Sequence, residues 1–512
     1  MLACILLYTI FSGRKVLALA RTICFWGDIS MAEKRSGTPE GSVIERGGSV
    51  FATIMLLAWP IVMEQFMMTL VQYADTAMVG VLGANATAAV AINMSSINLI
   101  NGLCMACGVG FTALVARAIG AGDAPRAKAL TGQALLLSTG IGIMFTAVMV
   151  ALSSYIPVWM GGEPEILADA FDYLFIIACS MLFKSITVIL SAIIRGAGDT
   201  YTPMRINIFV NVLNIIGNYF FIYEPRTIVL FGAEMPMWGA GMGVAGAALS
   251  TSLSIVLGGF ITLYVIAFTE RPIRLTRDVN LKFDKQLMAQ TFRISLPTMG
   301  ERMAMSIGQL VVTFIITSLG TVSLAAHHLA ITAESVCFMP AFAFSSAATT
   351  LVGQSLGAKR EDLADKLSFG VIKIATGALV AAGTLLFFFG SYMIRIFTSD
   401  AMVIPLATEC LRIVAFSQPF VGISMSITGV LRGAGDTKWP LIVVLVSMWS
   451  LRISLAYVLC ILLDFGLQGM WYCMVLDFIL RSVILGLRYR SGKWKHVMAH
   501  VDGGTAIEAI VE

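Results

Sequence analysis

The chain has 512 residues, 58% of them hydrophobic and only 12% charged, with a mean hydropathy of +0.87 and a formal net charge of +4. An ordinary soluble domain carries roughly 25% charged residues. That balance excludes a water-facing globular enzyme, a nucleic-acid binder and a disordered scaffold. It predicts an α-helical integral membrane protein, since each span needs about 20 apolar residues.

Residues 1 to 30 open with a short apolar run, Met1 to Ile10, and the charges Arg14 and Lys15 follow it. A secretory signal has the opposite order. The polar stretch from Met31 to Ser49 reads as a cytoplasmic tail, with Met31 as an alternative start of translation. Apolar runs bounded by Gly, Pro and charges then predict twelve spans, near 50–81, 87–118, 127–155, 165–194, 202–223, 239–268, 288–318, 322–356, 364–390, 402–431, 438–463 and 466–489. Cations gather in alternate loops. Arg126 and Lys128, Arg195, the run Arg271 to Lys285, Lys359 with Arg360 and Lys366, and Arg432 with Lys438 lie on one side, together with both tails. The other side offers essentially Arg226 and Arg395. By the positive-inside rule both termini are cytoplasmic.

A repeat sets the organisation. RGAGDT occurs at Arg195–Thr200 and again at Arg432–Thr437, an offset of 237 residues. The same offset pairs Pro60 with Pro297, Leu82-Gly83 with Leu319-Gly320, Gly120-Ala121 with Gly357-Ala358, and Pro203 with Pro440. Six spans per copy is an even number, so both copies enter the membrane from the same side and the repeat is parallel, a design that transporters use. The expected organisation is a tail (1–49), a first six-helix lobe (50–268), a basic linker (269–286), a second six-helix lobe (287–490) and a tail (491–512).

Both RGAGDT copies, together with Leu57-Ala58-Trp59-Pro60, Asp75-Thr76-Ala77-Met78-Val79-Gly80 and Gly353-Gln354-Ser355-Leu356-Gly357, carry a resemblance. The sequence resembles the multidrug and toxic compound extrusion (MATE) family, bacterial members most, over about residues 50–490. The resemblance implies a V-shaped pair of helix bundles that exchanges an inward cation, H+ or Na+, for an outgoing drug. It implies no organic cofactor, a monomer, and the cell (inner) membrane as location.

Polar residues inside the spans are the candidate site. Asp75 lies about 10 Å inside the outer end of the first span at ~1.5 Å per residue, with no Lys or Arg in that span. Asn207, Asn211, Asn214 and Asn218 share one face of the fifth span, and Asn218 lies at a depth similar to Asp75. A carboxylate among amides can bind a proton or a small cation; an asparagine stripe can also simply join helices. The repeat supplies a control, because Asp75 faces Val312, and Asn211, Asn214 and Asn218 face Met448, Leu451 and Leu455. The resemblance marks Asp75 as the coupling acid, with the polar pair of the fifth span beside it. In the proton-coupled branch one of that pair is an acid, and Asn218 departs from this. Thr251 is similar to a hydroxyl that the family carries on its sixth span.

Glu64 is three turns below Asp75 on the same face, and its counterpart at the repeat offset is Glu301. These two acids join the cation-coupling set. Glu301 and Glu334 have a second reading, structural pairing with Arg302. Met67 and Met68 share the Glu64–Asp75 face, and with Met305, Glu334 and Gln418 they are the candidate cargo cavity. The sodium-coupled branch of the family has an acid on its seventh span, where this chain has Met305, and another in its tenth, which here offers Gln418 with Glu409 nearer the outer end, so no sodium or other metal site is assigned. His327 and His328 read as packing or interfacial residues, Lys184, Arg412 and Arg452 as paired or snorkelling, and the pair Cys104 and Cys107 as small packing residues. Acids among 29 Met and 30 Phe favour cationic amphiphilic drugs as partners beside the lipid bilayer. The competing reading is a lipid-linked oligosaccharide flippase of related architecture; a membrane-embedded enzyme lacks a motif such as H-E-x-x-H.

Overall fold

The structure, a computed structural model, describes residues 43–45, 48–230, 233–269, 271–276 and 282–498. The alternative start at Met31, most of the amino-terminal tail and residues 499–512 lie outside the described residues. The first half of the chain supplies α1 (Val50–Gly80), α2 (Ala84–Gly120), α3 (Ala124–Leu152), α4 (Leu167–Cys179), α5 (Met181–Gly196), α6 (Tyr201–Phe221), and, after a hairpin, α7 (Gly243–Phe268). The second half supplies α8 (Lys285–Thr317), α9 (Thr321–Gly357), α10 (Glu361–Phe397), α11 (Val403–Ala415), α12 (Gln418–Gly433), the span α13 (Lys438–Leu462) and α14 (Gly466–Arg490). Among the described residues nine helices are long and apolar enough to cross a membrane, and eleven spans result when α4 with α5 and α11 with α12 each count as one. The fifth expected span, α6, is 21 residues long but falls outside that set. Its four asparagines and Arg205 dilute an otherwise apolar helix.

Local sequence explains where helices start and bend. Ser49, Asp123 and Asp284 cap α1, α3 and α8 by accepting backbone N–H bonds, from Ala52, from Arg126, and from Gln286 and Leu287. The fourth and tenth spans were expected to be continuous, but they bend by 50° and 54° at their breaks. At each break a serine hydroxyl turns back onto the chain: Ser180 Oγ donates to Ile177 O and Ser417 Oγ to Val414 O, both at 2.8 Å. Such back-bonding competes with the helical ladder and bends it. The span α13 departs in another way, with π-helical turns over Leu445–Ile453 and Val458–Leu462. A further departure from the all-helical expectation is an antiparallel hairpin, β1 (Arg226–Leu230) with β2 (Ala233–Met237), between α6 and α7.

Large apolar side chains such as Phe314, Phe388 and Ile396 are exposed along the spans, as lipid-facing residues are. The two halves pack against each other mainly through α2 with α8 and α9, and α1 with α9. The closest approach is at the end carrying the RGAGDT turns. A Cβ added to Gly120 would lie 2.0 Å from Gln354 O, and one added to Gly357 would lie 2.1 Å from Arg117 O. Only glycine permits these two crossings. Side chains tie the same end across the halves: Gln354 Nε2 donates to Gly196 O at 3.2 Å and Thr350 Oγ1 to Arg195 O at 3.1 Å.

Candidate functional site

Parallel packing of α1 and α6 builds the site as two rungs, each joining a carboxylate of α1 to an asparagine of α6. At the lower rung Asn207 Nδ2 donates to Glu64 Oε1 at 2.7 Å; at the upper, Asn218 Nδ2 donates to Asp75 Oδ1 at 2.5 Å. Glu64 and Asp75 are 11 residues apart, as are Asn207 and Asn218, so the two helices keep step over three turns.

The rungs differ in charge. Glu64 is buried and accepts from Arg195 Nη1 at both oxygens, each at 3.1 Å. Its negative charge is therefore matched. Asp75 is half-buried, and among the described residues it forms no ion pair. Its surroundings are amides and hydroxyls. Asn218 Nδ2 also reaches Asn214 Oδ1 at 3.5 Å, Asn214 Nδ2 donates to Thr251 Oγ1 at 2.9 Å, and Ser250 Oγ donates to Asn214 O at 2.7 Å. Two acceptors or donors in this array are left over, Asn218 Oδ1 and Asn211 Nδ2. A partly buried carboxylate without a counter-charge is costly.

The structure thus brings Asp75, Asn214, Asn218 and Thr251 together and leaves Asn211 beside them without a hydrogen bond among the described residues. It assigns Glu64 to Arg195 and Glu301 to Arg432, where Arg432 Nη2 donates to both carboxylate oxygens at 2.8 Å. The expected pairing of Glu301 with Arg302 is replaced by this one, because the arginine of each RGAGDT turn, in the last turn of α5 or α12, reaches the acid in the middle of α1 or α8. The two turns use their aspartates differently. Asp199 accepts from Thr202 N at 3.0 Å and from Arg271 of the linker, whereas Asp436 accepts from Arg488 at 2.7 Å.

The candidate cavity residues do not converge. Met67 is half-buried and Met68 exposed on α1, while Met305 packs near Ala304, Val444 and Met448. Glu334 and Gln418 are fully buried within the second half. There Glu334 neighbours Gln418 and faces the charge of Arg452, which lies 3.7 Å from Asp477; Asp477 is in turn held by Arg481 at 2.7 and 2.9 Å. His327, buried and 5.7 Å from the Trp471 ring, belongs to the same region, and His328 is exposed. Sequence reasoning missed Asp477 and Arg481, whose i,i+4 spacing on α14 was a visible signal. It also missed Tyr173, an electrostatic neighbour of Asp75 on the fourth span, which no spacing in the sequence marks.

The MatE family model matches residues 60–220 and again 297–458. The "Probable multidrug resistance protein NorM" of Thermotoga maritima is 33% identical over 444 residues, covering 86% of this chain and 92% of that protein. The "Uncharacterized transporter YisQ" of Bacillus subtilis is 27% identical, covering 86% and 94%. Among solved structures, the outward-facing conformation of a multidrug resistance MATE family transporter superposes with a TM-score of 0.80 at 23% identity, covering 88% of this chain and 98% of that one. That likeness shows a shared fold.

Proposed function

This chain belongs to the MatE family, and on that premise we propose that it is a secondary active multidrug exporter of the cell membrane. It exchanges inward H+ or Na+ for outgoing amphiphilic, mainly cationic compounds. It does so as a monomer with no organic cofactor, by alternating access between two six-helix lobes related by a parallel repeat, in twelve spans with both termini cytoplasmic. The observation that carries the reading is Asp75: a half-buried carboxylate bonded by Asn218 at 2.5 Å, with no ion pair among the described residues. A carboxylate whose neighbours are all neutral changes its interaction with them when a proton or cation arrives. A bound charge can therefore bias the packing of α1 against α6, and with it the balance between two conformations. The cargo cation and the coupling ion then compete for one negative charge. In the proposed orientation the glycine crossings and the Gln354 and Thr350 bonds close the cytoplasmic end.

The flippase reading draws on three arginines, Arg195, Arg302 and Arg432, around a cavity between the halves. Two of them are neutralised by Glu64 and Glu301, which leaves a single net positive charge there. A pocket for polyanionic head groups needs more, so the exporter reading is favoured.

The test is uptake of an aromatic cation into inside-out vesicles, the equivalent of efflux from the cell, driven separately by a pH gradient and by a sodium gradient. One of the two gradients should drive efflux in the parent protein. Asp75→Asn, at parent membrane levels and with drug binding retained, should lose it. Efflux by Asp75→Asn at the parent rate would overturn the assignment.

A further inference from the structure

The cavity between the halves carries an inference of its own, independent of the coupling role of Asp75. It lies near the RGAGDT turns and takes its lining from both halves, including Arg195 from α5, Arg302 from α8, Ser345 and Ser346 from α9, and Arg432 from α12. Its volume is about 60 Å³. A water needs roughly 10–15 Å³ by the same kind of measure, so the space admits a few waters or one small ion or carboxyl group.

The charges around it do not balance. Arg195 is matched by Glu64 and Arg432 by Glu301. Arg302 forms no hydrogen bond or ion pair among the described residues, and the charges that face it are Arg432 and Glu301. Glu301 already gives both oxygens to Arg432. Arg432 also keeps a buried Nε without a partner. At the repeat offset Arg302 corresponds to Gln65, so the extra guanidinium is a property of the second half alone. A half-buried guanidinium without a counter-charge is costly, and it presents up to five N–H donors in a fixed fork.

We propose that this cavity is an anion-binding site in which Arg302 holds one monovalent anionic group, a halide or a carboxylate, between the two halves. The chemistry is a charge-assisted bond from a guanidinium to a compact anion, with the neighbouring serine hydroxyls as further donors. The group can be a free ion from solution or the carboxylate of a zwitterionic cargo. In either case it bridges elements from both halves near the end where they already meet, and so it stabilises that junction.

The experiment uses the purified full-length protein in lipid nanodiscs, in the sodium salt of a bulky sulfonate buffer at constant ionic strength. Chloride or acetate replaces the sulfonate stepwise while the melting temperature is followed by tryptophan fluorescence. The parent should show a saturable rise. Arg302→Gln should weaken the apparent affinity by about tenfold or more, as loss of a charged hydrogen bond does. Arg302→Lys should fall between, and Arg490→Gln, at an exposed position, should match the parent. If Arg302→Gln does not fold, Ser346→Leu, which fills the cavity and keeps the charge, must abolish the saturable rise. A second arm compares a cationic amphiphile bearing a carboxylate with its methyl ester. Preference for the acid that disappears in Arg302→Gln assigns the site to cargo; saturation by chloride and acetate without that preference assigns it to the free ion. The same response in parent and Arg302→Gln, or no saturable response in the parent, would overturn the proposal.

Discussion

Residues 50–268 and 285–490 repeat each other in their supporting contacts and differ in their buried charge. Glu64 with Arg195 recurs as Glu301 with Arg432. Thr112, which donates to Gly108 O and Ala192 O, recurs as Thr349, which donates to Ser345 O and Gly429 O. The serines at the two bent spans also correspond. The first half then places a half-buried Asp75 among amides, where the second half has Val312. The second half places Asp477 and Glu334, both fully buried, around Arg452 and Arg481, where the first half has no counterpart charges. What recurs is the scaffold, and what differs is the way each carboxylate is answered. Amides answer Asp75, and guanidiniums answer Asp477.

The largest effects should break along this line. Asp75→Asn keeps the hydrogen-bonding shape and removes the titrating oxygen, so gradient-driven efflux should fall to background while the melting temperature stays near the parent value. Asp477→Asn should do the reverse of a specific lesion. It leaves Arg452 and Arg481 buried without a full counter-charge, a loss of roughly 3–5 kcal/mol, so poor membrane levels should precede any transport defect. Wild-type stability in Asp477→Asn, together with dead transport, would move the coupling charge to the second half.

A smaller difference should separate the two recurring ion pairs. Side-chain exposure is 17% for Arg195 but 8% for Arg432. Glu301→Gln strands a guanidinium beside Arg302 and should cost roughly 3–5 kcal/mol. Glu64→Gln leaves Arg195 nearer to water and keeps an amide for Asn207, so about 1–3 kcal/mol is expected. Thermal melts of the two variants in one detergent check the order; equal losses would mean that exposure does not control the cost.

Much of the scaffold was legible because its causes are local. Apolar run length sets the spans, and capping residues such as Asp123 and Asp284 set their starts. Glu64, Asp75, Glu301 and Glu334 were legible too, since a charge in an apolar run is conspicuous, although Asp477 was passed over. Their partners were less so. Asp75 with Asn218 could be read from matched depth on two helices, whereas Glu301 with Arg432 joins an acid in the middle of α8 to the last turn of α12, a pairing chosen by how the bundle folds back. The bends at Ser180 and Ser417 were hidden because a serine in an apolar run is equally at home in a straight helix. Glu334 and Gln418, expected along a cavity, lie buried within the second half for a related reason: the sequence shows that a polar group is inside a span, not whether it faces a neighbour or a cleft.

The smallest effect tests where the two halves part in length. The repeat offset is 237 residues at the RGAGDT turns but 223 between the starts of α7 and α14, 14 fewer. That difference falls where β1 and β2 lie, and the second half passes from α13 to α14 without a hairpin. The base of the hairpin is fixed by its own backbone bonds, from Gly241 N to Tyr223 O and from Met242 N to Phe221 O, each at 2.9 Å. These bonds do not depend on the strands beyond. Replacing residues 226–237 by Asn-Gly, a two-residue turn suited to closing an antiparallel pair, should therefore leave the α6–α7 junction intact. Stability should change by no more than about 0.5 kcal/mol, the range of surface changes, and efflux should match the parent in initial rate. A variant that folds normally but loses efflux would make the hairpin part of the transport path, and the contrast between the halves would then extend beyond Asp75 to the loop that follows its partner helix.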